Sequence, residues 1–140
     1  MRNIINIALT LIILGLFPYN NSNCQKLTEQ KAKFTVYYFH HTMRCESCIR
    51  IENYSFKVLQ KEFPGNLKDS SILWKVINVD DTENEHFIDD YKLETQALII
   101  SKQINGKEAK WKDLDAIWDH LNDYEKFCNY MKNEIKAFIK

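Results

Sequence analysis

Residues 40 to 50 read His-His-Thr-Met-Arg-Cys-Glu-Ser-Cys-Ile-Arg, the densest run of reactive side chains in the chain. Cys45 and Cys48 stand three positions apart, a spacing that lets two thiols close into a disulfide or clamp a soft metal. His40 and His41 could add two nitrogens, which makes His40, His41, Cys45 and Cys48 a candidate ligand set for zinc or copper(I). Against that set, no second C-x-x-C or H-x-x-H lies farther along the chain, and adjacent side chains on an extended strand point apart. A structural disulfide or a plain buried pair is the remaining alternative.

The elements around the motif favour thiol–disulfide chemistry. Phe34-Thr-Val-Tyr-Tyr-Phe39 is a β-branched and aromatic run that reads as a buried strand. From Cys45 to about Phe63 the chain has no Gly or Pro, and apolar residues recur at helical spacing through Cys48, Ile51 and Leu59. The cysteines therefore occupy the first turn of a helix that follows a strand. There, unpaired backbone N–H groups and the positive end of the helix dipole stabilise a thiolate. The thiol of Cys45 is expected to fall below its free pKa of about 8.5 and act as the exposed nucleophile. Cys48, one turn on and nearer the core, would resolve the mixed disulfide. Arg44 adds positive charge beside Cys45 and Glu46 adds negative charge, so the two should modulate the thiol in opposite senses. Met43 is expected to pack over the helix.

Further along, Leu73 to Val79 reads as a second strand. Asp80-Asp81-Thr82 looks like a helix start, with Thr82 and Glu85 spaced as a capping box. Ala97 to Ser101 is a third strand, Asn105-Gly106 is a hairpin signal, and Lys107 to Trp111 is a fourth strand. Asp115 to Lys140 reads as helical with a break near Asn122-Asp123, and Cys128 lies on its apolar face as a core residue. Two strands joined through helices imply parallel pairing, and the hairpin adds antiparallel strands. The expected architecture is a mixed α/β sheet with helices on both faces.

The chain has 140 residues, enough for one domain. Arg2 followed by an uncharged apolar run from Ile4 to Phe17 has the layout of a secretory signal, so residues 1–24 are expected to be a signal peptide or a lipoprotein signal and membrane anchor. Cys24 is a candidate lipidation site; cleavage just after it by an ordinary signal peptidase fits as well. Residues 25–32 form a polar tether. The expected location is the periplasm, either free or anchored to a membrane and facing it. An oxidising compartment of this kind suits a disulfide. Lys plus Arg and Asp plus Glu both number 19, which leaves no electrostatic footprint for nucleic acid. An apolar fraction of 45% with only three glycines and two prolines argues against disorder.

The stretch VYYFHHTMRCESCIRIENYS resembles the active-site segment of a small group of bacterial thioredoxin-like proteins labelled as a subunit of a nitrophenyl-compound nitroreductase. The similarity continues at LWKVINVDDTENEHFIDDYKLETQALIIS and GKEAKWKDLDAIWD, and runs from about Lys33 to Phe138. It implies a thioredoxin-like mixed four-stranded sheet with flanking helices over residues 33–140. It also implies nucleophile and resolving roles for Cys45 and Cys48. No glycine-rich phosphate loop for a flavin or nicotinamide is present, so no nitroreductase activity is expected of the chain itself and no cofactor beyond its own Cys45–Cys48 disulfide. Thr95-Gln96-Ala97 occupies the substrate loop, where thioredoxins carry a cis-proline. A cis bond without proline costs about 3–4 kcal/mol, so a trans backbone is expected. Arg44 replaces the usual tryptophan before the first cysteine, and Ser47 stands where many thioredoxins have proline. The expected function is that of an exported thiol–disulfide oxidoreductase or thiol carrier with a protein thiol or disulfide as partner. The alternative is a dithiol metal- or partner-binding module without exchange activity, such as an accessory subunit of a redox enzyme.

Overall fold

The computed structural model describes residues 34–140. The expected signal or anchor (1–24), with Cys24, the tether (25–32) and Lys33 lie outside the described residues. Strand β1 (Phe34–His40) is central. It pairs in parallel with β2 (Ile72–Asn78) and antiparallel with β3 (Ala97–Ile104), and β4 (Lys107–Asp113) closes the far edge antiparallel to β3. The order across the sheet is β2-β1-β3-β4. Helix α1 (Glu46–Glu62) follows β1, with α2 (Pro64–Lys68) directly behind it. Helix α3 (His86–Tyr91) joins β2 to β3, and α4 (Tyr124–Phe138) ends the fold. A mixed four-stranded sheet in this order, with a C-x-x-C at the start of the helix after the central strand, is a thioredoxin-like α/β fold.

Alternation along β1 divides the core. Phe34, Val36 and Tyr38 face α1 and α4, where Ile51, Leu59, Phe127, Met131 and Ile135 complete the larger cluster. Tyr37 and Phe39 face α3 and meet Val79, Tyr91, Ala97 and Ile99. Cys128 is buried on the α4 side, as its helical position predicted. The β3–β4 turn matches the Asn-Gly signal: Asn105 and Gly106 take φ of 50° and 77°, the left-handed pair that a two-residue hairpin of this hand needs.

The run without Gly or Pro that begins at Cys45 ends as a helix just before Pro64, and two later expectations are corrected. Phe63 ends α1, its N–H donating to the Leu59 carbonyl, and Pro64 opens α2 at a first-turn position where its missing N–H costs nothing. Thr82 and Glu85 form no capping box, because α3 begins only at His86 and has no side-chain cap. The intervening chain is held instead by Asn84, whose Nδ2 donates to the Asn78 carbonyl at 2.9 Å. The last segment is helical from Tyr124, where Asp123 caps α4 by accepting the Lys126 N–H at 3.1 Å. Before it, only Asp115–Ile117 forms a 3₁₀ turn.

Candidate functional site

Cys45 is the N-cap residue of α1, in extended conformation, and its sulfur accepts the Cys48 N–H at 3.3 Å. One of the free donors of the first helical turn therefore points at the sulfur that would carry charge. Cys45 is exposed while Cys48 is 1% exposed, and the two are joined as a disulfide with Cα atoms 5.2 Å apart. The asymmetry matches the sequence expectation of an accessible first thiol and a shielded second one.

The charged neighbours are arranged differently from the simple picture of opposed pulls. Arg44 turns inward: its guanidinium donates to Glu52 and lies over the Tyr38 ring, 5.8 Å from its centroid. Glu46 points outward and accepts from Arg50 Nη2 at 2.6 Å. Each charge that flanks Cys45 in sequence is thus largely answered by its own partner. Tyr38 links this group to the dithiol, because its buried hydroxyl donates to the Cys48 carbonyl at 2.7 Å. Burial pushes the Tyr38 hydroxyl up to about 12, with Arg44 pulling weakly the other way.

Neither Tyr38 nor Glu52 was singled out from sequence. A signal existed for both: Tyr38 shares the strand face of Val36, and Glu52 lies four residues after Cys48, on the same side of the helix.

The histidines serve the loop. His40 Nδ1 donates to the His41 carbonyl at 2.9 Å, and His41 Nδ1 donates to Asp80 Oδ1 at 2.7 Å. Both ring nitrogens named are thus engaged by the loop and by Asp80, and His40, His41, Cys45 and Cys48 do not form a cluster disposed to hold a metal ion. Among the described residues no cluster of three or more His, Cys, Asp and Glu side chains is disposed to hold a metal ion. Asp80 also accepts the Thr42 N–H at 2.7 Å. These bonds, the His41 contact first, hold its carboxyl down at about 2. Met43 does not pack over the helix; it is 86% exposed, in the same loop.

Thr95, Gln96 and Ala97 lie at the same end of the sheet as the dithiol, since Ala97 pairs with Phe39 across β1 and β3. Ala97 is buried as the first residue of β3 and belongs to the core, which leaves exposed Thr95 and half-buried Gln96 as the loop. Among the described residues no peptide bond is cis. A shallow open groove of about 440 Å³ runs along the outer side of α1 from Glu46 and Ile49 to Tyr54 and Lys57.

No family model and no curated protein sequence matches the chain. Among solved structures it is similar to a malarial protein, with 17% identity over 58% of this chain and 80% of that one and a TM-score of 0.39. It is also similar to the thioredoxin of Fasciola hepatica, with 23% identity over 59% of this chain and 68% of that one and a TM-score of 0.39. A third likeness is to a thioredoxin from Thermus thermophilus, with 15% identity over 64% and 72% of the two chains and a TM-score of 0.37. These values are too low to carry function across, and the strand order and the placement of the dithiol are what define the fold here.

Proposed function

We propose that the chain is an exported thiol–disulfide oxidoreductase or thiol carrier that works through Cys45 and Cys48. The observation that carries this reading is the pairing of an exposed sulfur at a helix N-cap with a buried sulfur at disulfide distance. In the reducing direction the Cys45 thiolate attacks one sulfur of a substrate disulfide. A Cys45–substrate disulfide forms, and the other substrate sulfur leaves as a thiolate that takes a proton from water. Cys48 then gives up its proton to solvent and attacks the Cys45 sulfur. The Cys45–Cys48 disulfide forms, the second substrate thiol is released, and two electrons have passed from the dithiol to the substrate. The oxidising direction is the reverse. The partner is a protein thiol or disulfide, for which exposed Met43 and Ile49 offer apolar contact around Cys45. We place the chain in the periplasm, free or held at a membrane through its N-terminus.

The similarity to chains labelled as nitroreductase subunits fits an accessory role, in which the dithiol delivers or accepts thiol equivalents for another enzyme. Titrating the dithiol against glutathione, with metal analysis alongside, tests the proposal. A reversible couple between about −180 and −270 mV is expected, the interval spanned by isomerases and thioredoxins. Cys45→Ser should abolish exchange, and Cys48→Ser should accumulate mixed disulfides. Stoichiometric metal without exchange would overturn the proposal in favour of a dithiol binding module.

A further inference from the structure

The loop from His41 to Arg44 carries Cys45 yet contains neither proline nor glycine to fix its path. Its fixation comes from a segment nearly 40 positions away. Both oxygens of Asp80 are taken by the loop, Oδ1 by His41 Nδ1 and Oδ2 by the Thr42 N–H, each at 2.7 Å. Asn78 adds a bond from its Nδ2 to Thr42 Oγ1 at 3.1 Å, and a second to Asp81 Oδ1 at 3.1 Å. Asp80 is itself held, since its N–H donates to Asn78 Oδ1 and the preceding Val79 N–H donates to the His40 carbonyl at 2.9 Å. The result is a frame that runs from the end of β2 to a point three residues before Cys45.

Magnitudes indicate what this frame is for. The His41 and Asp80 side chains are each 42% exposed, and an ion pair or hydrogen bond so accessible to water adds little to global stability. Two short bonds to successive residues of one loop do, however, remove conformers of that loop. The conformer they select is the one in which the Cys45 sulfur caps α1.

We propose that Asp80 is a positioning residue for the dithiol: by gripping His41 and Thr42 it holds Cys45 at the N-cap of α1 and so keeps its thiolate stabilised. This rests on the thiol–disulfide reading of the site and names a residue that acts on it from the turn after β2. Asp80 does not touch the sulfur; it works through the loop.

The test uses the reduced full-length chain and iodoacetamide, followed across pH 5 to 10. Alkylation is scored by peptide mass mapping, so that Cys45 is counted apart from Cys24, Cys48 and Cys128. Asp80→Ala is expected to slow Cys45 alkylation at neutral pH about fivefold, the size of one N-cap interaction, and to move its pH profile upward. Asp80→Asn keeps one acceptor oxygen and should fall between Asp80→Ala and wild type. His41→Ala should also slow the reaction, whereas His41→Asn places an amide N–H near the lost Nδ1 and should rescue it. A lowered unfolding temperature with the Cys45 profile unmoved would mean that the frame is only structural, and would overturn the proposal. If Asp80→Ala does not fold, unmoved profiles in both Asp80→Asn and His41→Ala do the same. Alkylation needs no exchange activity. A wild-type chain inert toward glutathione therefore sinks the functional reading, while the variants still report on Asp80.

Discussion

Tyr37 and Tyr38 are neighbours on β1, yet they serve opposite faces of the sheet and different kinds of polar cluster. On the α1 face, Tyr38 meets a cation and an anion: Arg44 lies over its ring and pairs with Glu52, and its hydroxyl supports the Cys48 carbonyl. On the α3 face, one carboxylate is met by hydroxyls alone, because Tyr91 and Ser101 both donate to Glu108, with Tyr37 close to Tyr91. Burial first, and then the bond to Glu108, drives the Tyr91 hydroxyl upward. Both clusters satisfy half-buried polar groups beside aromatic rings. Only the first touches the dithiol. Polar groups below the surface of this sheet are therefore no guide to chemistry by themselves; what separates the faces is the contact to Cys48.

Substitutions can break or sharpen that contrast. The largest effect is expected from the α3 face and should be one of stability only. Ile99→Ala removes a fully buried side chain and should cost about 2–5 kcal/mol in denaturant unfolding. The dithiol potential of the folded fraction should stay where it is; a shifted potential would mean that the faces are coupled. Glu52→Ala leaves the half-buried Arg44 guanidinium without its carboxylate and should cost about 1.5–3 kcal/mol. This loss should be accompanied by a change in potential, measured by glutathione equilibration.

Tyr38→Phe should cost about 1 kcal/mol by removing one buried hydrogen bond. Its pH signature follows from the sign of the shift. The folded-state value of about 12 lies above the free tyrosine value of about 10, so folding favours the neutral hydroxyl. That contribution is whole below about pH 10 and disappears as pH climbs toward 12. Wild type should therefore lose more stability than Tyr38→Phe between these limits, as read by alkaline unfolding. Glu108→Gln on the other face keeps one acceptor and should cost under about 1 kcal/mol, with no change at the dithiol. Smallest of all, Glu46→Gln should alter stability by less than about 0.5 kcal/mol, since Glu46 is itself exposed and its partner Arg50 is a neighbour one helical turn away. A large shift in Cys45 reactivity in this variant would show that Glu46 acts on the thiol despite its pairing.

Much of this was legible beforehand where short-range periodicity governs. The β-branched and aromatic run from Phe34 to Phe39 read as a buried strand. The helical recurrence after Cys45 placed an accessible and a shielded cysteine one turn apart, and Asn105-Gly106 gave its hairpin. Expectations failed where a side chain had to choose among several partners. Thr82 lost its capping role to the turn that Asn84 builds on Asn78. Which partners His40 and His41 take, a carbonyl and Asp80, was likewise beyond the reach of local spacing.

Strand β4 shows the limit most clearly. Straight alternation would set Glu108 on the same face as Lys110 and Lys112. The register instead slips between Lys102 and Gln103, so that Gln103 pairs with Glu108 and Ala109 is left as the extra residue. That bulge turns Glu108 toward Tyr91 and Ser101, while Lys110 lies over Phe138 and Lys112 reaches Glu134 on the opposite face.

By itself the sequence determined the four strands and the helix after the first, their order along the chain, and the cysteine pair at a helix start, because each follows from apolar spacing and from the backbone needs of a helix terminus. Only the tertiary structure decided which charges reach the dithiol. Arg44 is adjacent in the chain and is claimed by Glu52, whereas Asp80 is remote and grips the loop. Adjacency along a chain sets neither the direction of a side chain nor its partner; those depend on which surfaces the fold presses together.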